Sequence, residues 1–239
     1  MITTASKTIK TVVDFLMPLA CVHCGVEGSL LCEKCIGGAV QPPSNTCVTC
    51  AEPTFEDVSR CGECAALPPP LDRLVPIFRY GGAVRSAVHA LKYRNITAIA
   101  PVIAGLISQH PYSGNARIDC VTPVPIHAER LRERGYNQAA LLAEHVAGNR
   151  QLLFIPEALS KTRATASQVD LTKQERATSL RGAFAANFDF DDAHVLLVDD
   201  VCTTGNTLMN CAAALKRAGA RRVSAMVFAK ETIDNEAQV

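Results

Sequence analysis

The stretch VLLVDDVCTTGNTL, Val195 to Leu208, admits few folds. Its four apolar residues, Val195, Leu196, Leu197 and Val198, have the pattern of a strand buried on both faces, as in the centre of a parallel sheet. Two carboxylates, Asp199 and Asp200, stand at the strand's carboxyl end, and a polar loop follows: Thr203, Thr204, Gly205, Asn206, Thr207. Leu208, Cys211, Ala212, Leu215 and Ala218 then recur at helical spacing. Lys216 and Arg217 occupy the last turn and Gly219 lies just past it, the charge bias and terminal glycine that helix ends favour.

A loop entering a helix offers unpaired backbone N–H groups at the positive end of the dipole, a ready anion site. Gly205 lets the backbone approach a phosphate, and the threonine hydroxyls can donate as well. The acidic pair would repel that phosphate, so it suits ribose hydroxyls or a magnesium ion. A ribose 5-phosphate group supplies both parts. The plainer reading is a buried strand whose acids cap the next helix. The stretch resembles the phosphoribosyl pyrophosphate (PRPP) motif of type I phosphoribosyltransferases. That resemblance implies that Asp199 and Asp200 are the catalytic carboxylates facing the ribose, and that Thr203, Thr204, Gly205, Asn206 and Thr207 cradle the 5-phosphate. Cys202 lies inside the loop; it reads as a packing thiol, since phosphoribosyl transfer needs no enzyme nucleophile.

With 239 residues the chain can bury a large core and carry a small second unit. A net charge of +1 gives no global polyanion signal, so any nucleic-acid contact must come from a local patch. Tryptophan is absent and aromatics are few, which weakens a stacking-platform reading. Val12 to Cys21 has a faint look of a signal peptide, but Asp14 breaks the apolar run and Pro18-Leu19-Ala20 is a poor cleavage context. Ser6 to Leu16 reads instead as an amphipathic helix with Ile9, Val12, Val13 and Leu16 on one face. No apolar run is long enough to span a membrane, and the expected location is cytoplasmic.

Four C-x-x-C pairs fall between residues 21 and 64: Cys21/Cys24, Cys32/Cys35, Cys47/Cys50 and Cys61/Cys64. Each pair sets two thiolates on one side of a tight knuckle, and two knuckles complete a tetrahedral zinc shell. Gly25 and Gly62 lie beside cysteines where such knuckles call for positive φ. The segment is too poor in bulky apolar residues to fold on its own core, and a structural zinc contributes on the order of 10–16 kcal/mol in small fingers. Disulfides need an oxidising compartment, and a redox C-x-x-C usually comes singly beside a βαβ unit. Sequential pairing is the simplest: Cys21, Cys24, Cys32 and Cys35 on one zinc, and Cys47, Cys50, Cys61 and Cys64 on a second. Spacing leaves interleaved pairing open. Both shells are full, so catalysis by zinc is not expected.

Ala65 to Leu71 contains Pro68-Pro69-Pro70 and reads as a stiff linker. This divides the chain into an amino-terminal helix (1–20), a double zinc ribbon (21–66) and an α/β unit (67–239). In that unit Leu74 to Tyr80 has a strand pattern and Ala83 to Tyr93 a helical one, ending in Lys92-Tyr93-Arg94. These cations either complement the helix dipole or reach a phosphate. A second apolar helix covers Thr97 to Gln109. Ile118 to Val121 is a short strand running into Thr122-Pro123-Val124-Pro125-Ile126-His127, a loop stiffened by proline. Arg130, Arg132 and Arg134 follow at alternate positions, which cannot share one helical face. They form either a solvated turn or a pyrophosphate grip, because guanidinium groups pair phosphate oxygens bidentately. Ala139 to Ala147 continues as a helix, and Val223 to Ala229 as a last strand.

The run VPIHAERLRERGYNQA, Val124 to Ala139, is similar to the signature of the ComF/GntX family, competence-associated proteins with a phosphoribosyltransferase-like domain behind a double zinc ribbon. LSKTRATASQVDLTKQERATSLRGAF, Leu159 to Phe184, fits the same family. The resemblance implies a type I phosphoribosyltransferase-like domain with a mostly parallel sheet that binds PRPP with magnesium. It implies ligand contacts from Arg163, Thr165 and Gln168 in a loop closing over the pyrophosphate, and Lys161 stands where the family often has arginine. Two functions follow. One is a transferase of the nucleotide-metabolism type, moving phosphoribosyl to an unidentified acceptor. The other, favoured, is a PRPP-binding protein of DNA uptake or utilisation that meets single-stranded DNA and a competence helicase or another DNA-processing partner.

Overall fold

The computed structural model describes residues 19–54, 58–112, 117–161 and 183–231. Short helices α1 (Glu33–Gly37) and α2 (Gly62–Ala66) belong to the cysteine segment. Then come β1 (Arg73–Arg79), α3 (Gly82–Tyr93), a 3-10 turn at Thr97–Ile99, α4 (Ala100–Gln109) and β2 (Cys120–Pro123). Next are α5 (Ala128–Arg134), α6 (Gln138–Arg150), β3 (Leu153–Phe154), β4 (Leu159–Lys161) and β5 (Phe184–Ala186). The chain ends with β6 (His194–Cys202), α7 (Asn206–Arg217) and β7 (Arg222–Lys230). The amino-terminal helix expected over residues 6–16 and the loop carrying Arg163, Thr165 and Gln168 lie outside the described residues.

The sheet runs β1-β7-β6-β2-β3 and every pairing is parallel, as the continuous apolar run Val195–Val198 requires of a central strand. Alternate residues of β6 serve two cores. Leu196 and Val198 pack with α3, α4 and α6 on one face, through Leu91, Ile103, Leu142 and Val146. Val195 and Leu197 pack with α7 and the antiparallel β4–β5 pair on the other, through Leu208, Cys211, Leu215 and Phe184. These side chains are almost wholly shielded, and each contributes roughly 1.5–3 kcal/mol of transfer free energy.

The chain leaves β2 through α6 to pair β3 on one side, and leaves β6 through α7 to pair β7 on the other. The two helices therefore cover opposite faces, and a crevice opens between the carboxyl ends of neighbouring β2 and β6. Ligands of open α/β sheets sit at such a switch point.

Candidate functional site

The turn from β6 into α7 has the order read from the sequence. Gly205 takes φ +77° and is the residue before the helix, with no side chain closing the first turn. Asn206 is the first helical residue. A Cβ at position 205 would lie 3.8 Å from the Cys202 sulfur and be strained at that φ, so glycine leaves the amides open to an anion. Thr203 and Thr204 are exposed beside it, and Asn206 and Thr207 are half-buried.

The two acids occupy different surroundings. Asp199 is only half-buried as a residue, yet its carboxyl lies deep among protein atoms. Its Oδ1 accepts the Asp200 backbone N–H at 2.8 Å. Burial, and then the Asp200 charge, hold the Asp199 carboxyl well above the usual carboxylate range. Asp200 is buried and turned toward α3 and α6. Its Oδ2 forms an ion pair with the Lys92 ammonium, and its Oδ1 accepts from Gln138 Nε2 at 3.2 Å. Burial alone would lower the Lys92 pKa; the Asp200 charge more than offsets this and raises it. Lys92 thus reaches a carboxylate, neither of the two roles its sequence context suggested.

The motif RERGYNQ sets this geometry residue by residue. Arg130, Arg132 and Arg134 lie on a helix, α5, where the sequence left a solvated turn or a pyrophosphate-gripping loop open. His127 opens it, its Nδ1 accepting the Glu129 N–H at 3.3 Å, and Gly135 at φ +82° closes it. Residues four apart share a helical face, so Arg130 and Arg134 both line one cleft with Lys92 while Arg132 leaves it. Tyr136 donates its hydroxyl to the Leu91 carbonyl at the end of α3, fixing Lys92 beside it. Asn137 caps α6 through the Ala139 N–H (3.0 Å) and ties that helix to the proline-rich loop through the Val124 carbonyl (3.0 Å). Gln138 accepts from Arg134 and donates to Asp200, so cation, amide and acid form one chain.

Across the sheet Lys161 on β4 lies over the Phe184 ring at 5.6 Å. Burial lowers its pKa, and Arg130 nearby lowers it further.

The eight cysteines fall into two groups, Cys21/Cys24/Cys32/Cys35 and Cys47/Cys50/Cys61/Cys64, with ligand atoms within 4.8 Å of one another in each. Grouping is sequential, as the simplest reading required. Cys24 and Cys32 sulfurs are 3.7 Å apart, and Cys50 and Cys61 sulfurs 3.8 Å. Four sulfurs at about 2.3 Å from a tetrahedral ion have edges of about 3.8 Å, so the shells fit a metal of zinc's size. The halves repeat one design. Cys21 and Cys47 carbonyls accept the N–H four residues on, from Gly25 (2.9 Å) and Ala51 (2.8 Å), both at positive φ. Cys32 and Cys61 precede the helices carrying Cys35 and Cys64. The positive φ of the second half is thus at Ala51, while Gly62 is helical. Burial raises Cys21 and Cys47, but surrounding backbone N–H groups more than offset it and bring both to about 6.

The cysteine segment also packs on the sheet. The Val48 and Val40 carbonyls accept the N–H groups of Leu74 (2.9 Å) and Arg79 (2.8 Å) on edge strand β1. Glu52 pairs with the nearly buried Lys230 of β7 at 2.7 Å, and Lys230 lies opposite Cys202 at the end of β6. Nothing in the sequence marked this pair.

The Phosphoribosyl transferase domain model matches residues 89–238, more than half of the chain. DNA utilization protein YhgH of Salmonella typhimurium is 32% identical over 212 residues, covering 87% of this chain and 91% of that protein. The YhgH protein of Escherichia coli matches to the same extent. Competence protein F of Haemophilus influenzae is 27% identical over 222 residues, covering 88% and 96%. The chain belongs to the ComF-type phosphoribosyl transferase family. Among solved structures, the glutamine PRPP amidotransferase of B. subtilis overlaps this ComF-type chain with 18% identity and a TM-score of 0.38, over 55% of this chain and 26% of the amidotransferase. Adenine phosphoribosyl transferase of Trypanosoma brucei gives 12% identity and 0.35, over 63% and 73%. Among the described residues of the ComF-type chain no helix is long and apolar enough to cross a membrane.

Proposed function

We propose that this protein binds PRPP with magnesium and uses it in DNA utilisation, the role carried in the names of its relatives. The observation that carries the reading is the β6–α7 turn: an acidic pair on one side and open helix amides at Gly205 on the other. Residues 203–207 take the 5-phosphate, and the half-buried Asp199 takes the ribose hydroxyls, backed by Asp200, which Lys92 and Gln138 hold in place. Arg130 and Arg134, with Arg163, take the pyrophosphate. Magnesium, when bound with PRPP, spreads the diphosphate's charge. Each cysteine group holds one structural zinc. The units are the amino-terminal helix (1–20), the ribbon (21–66) and the phosphoribosyltransferase-like domain (67–239), and a cytoplasmic location suits cysteines that hold metal instead of forming disulfides.

Titration calorimetry with PRPP and magnesium tests the site. Binding heat is expected from the native chain and none from the Asp199→Asn/Asp200→Asn variant; equal heat from both overturns the reading. A panel of bases and DNA added to PRPP then tests transfer: pyrophosphate release marks a transferase, and binding without release marks a PRPP-dependent DNA-handling protein. Metal analysis is expected to give two zinc ions per chain.

A further inference from the structure

The loop 203–207 carries no cation of its own. A phosphate there meets open helix amides, but it also lies next to Asp199 and Asp200, and Lys92 is already held by Asp200. Such a place gains from a further positive charge. One lies beneath the loop, brought there by a break in the strand pattern. Leu196 and Val198 pack in the core of α3, α4 and α6, yet Val201 joins that same core and Cys202 packs with α7. Strand β7 shifts with it: Met226 and Phe228 belong to the first core, and Ala229 follows them there. Lys230, the register partner of Cys202, is thereby turned toward the α7 face. There its ammonium meets Glu52 at 2.7 Å, beside Ala51, which packs in the α7 core. The Lys230 side chain is 5% exposed and that of Glu52 57%, so the pair holds its cation inward and its acid outward. A Cβ at Gly205 would lie 3.8 Å from the Cys202 sulfur, so that thiol lies directly under the loop. Burial pushes the thiol pKa up to about 12, and the Lys230 charge opposes this more than the Glu52 charge adds to it. The ammonium is the end of the pair nearer the loop.

We propose that Lys230 is the cation of the 5-phosphate site and that Glu52 of the cysteine segment is its positioning residue, so that the segment completes the site from outside the transferase-like domain. The inference rests on the sugar-phosphate reading of the β6–α7 turn. An ammonium has three donors, enough to keep a carboxylate and serve a phosphate oxygen together. Its four-carbon stem is flexible, and a fixed acid on the outer side removes that freedom before the ligand arrives. Burial strengthens the contact, since the charge acts through protein and not through water.

Two probes separate this role from a structural one. Ribose 5-phosphate carries the 5-phosphate without the diphosphate, and inorganic pyrophosphate lacks it. In calorimetry on the full chain with magnesium, Lys230→Met should weaken ribose 5-phosphate roughly ten-fold, the scale of one lost charge-assisted hydrogen bond. Pyrophosphate should bind it as it binds the native chain, and Lys230→Arg should recover part of the loss. Glu52→Gln should weaken ribose 5-phosphate by a smaller factor with the metal content of the native chain retained. The same change made in Lys230→Met should add nothing, because Glu52 acts only through the ammonium. Native affinity for ribose 5-phosphate in Lys230→Met, or an equal loss of both probes, would overturn the role of Lys230. Tighter ribose 5-phosphate binding in Glu52→Gln, or a further loss in the double variant, would overturn the role of Glu52. A native chain that binds no ribose 5-phosphate would remove the sugar-phosphate reading and this inference together.

Discussion

Asp199 is in tension with its own fold. Its carboxyl is buried beside a second acid, and Lys92, the cation that relieves that acid, is spent on Asp200. A folded pKa above the unfolded value of about 3.9 means that the native state binds the extra proton. Stability then falls as pH rises from the unfolded value toward the folded one, and the deficit persists at neutral pH. Asn keeps an oxygen for the Asp200 N–H and removes the charge. Asp199→Asn is therefore expected to unfold at a higher temperature at pH 7, on the order of 2–4 °C for each kcal/mol relieved, while PRPP binding falls. Thermal scans at several pH values check this: the gain should vanish near pH 4. A lower melting temperature at pH 7 would mean that the carboxylate contributes more to the fold than its burial costs.

At the other end of β6 the same strand carries a polar network. His194 is fully buried; Nδ1 faces the Arg117 carbonyl at 3.0 Å and so bears the proton, and Nε2 accepts from the Ser224 hydroxyl at 2.9 Å. Tyr112 donates to Ser224 Oγ at 2.7 Å, joining β6, β7 and the segment after α4. Burial lowers the His194 pKa, so the unfolded chain takes up the proton first. Stability is expected to be intact above the unfolded pKa of about 6.5 and to fall as pH drops below it. Urea midpoints at pH 7 and pH 5 should differ less in His194→Gln than in the native chain, although the variant starts lower. This histidine gave no sign in the sequence, because its partners are 30 and 77 residues away. The β6–α7 turn was legible for the opposite reason: strand, acids, glycine and helix are contiguous. The four cysteine pairs were legible from spacing, which left interleaved grouping open until the folded segment brought them together in sequential order. Helix α5 was not, since arginines at alternate positions argue against a shared face until Arg132 is allowed to leave it. Lys92 and Gln138 meet Asp200 only through the packing of α3 and α6 on β6.

Across the whole molecule, the cysteine segment is both a metal-sized scaffold and the cover of an exposed edge. Its carbonyls at Val40 and Val48 satisfy β1 amides that an open sheet would leave to water or to another chain. Cys21 and Leu31 enter one core, Ala51 the other, and His23 Nδ1 lies 3.0 Å from Ser86 Oγ on α3. A segment with so little apolar bulk holds these positions only if its two knuckle pairs are locked. Stripping metal from the full chain with a chelator should therefore raise hydrogen exchange at Leu74 and Arg79 while Val195–Val198, at the centre of the sheet, stay protected. It should also free Lys230 from Glu52 at the mouth of the phosphate loop and weaken PRPP, although no cysteine of the two groups belongs to that loop. Re-addition of zinc should reverse both effects. If the β1 amides keep their protection without metal, the segment folds on its contacts with the sheet, and the eight thiolates contribute nothing to its hold.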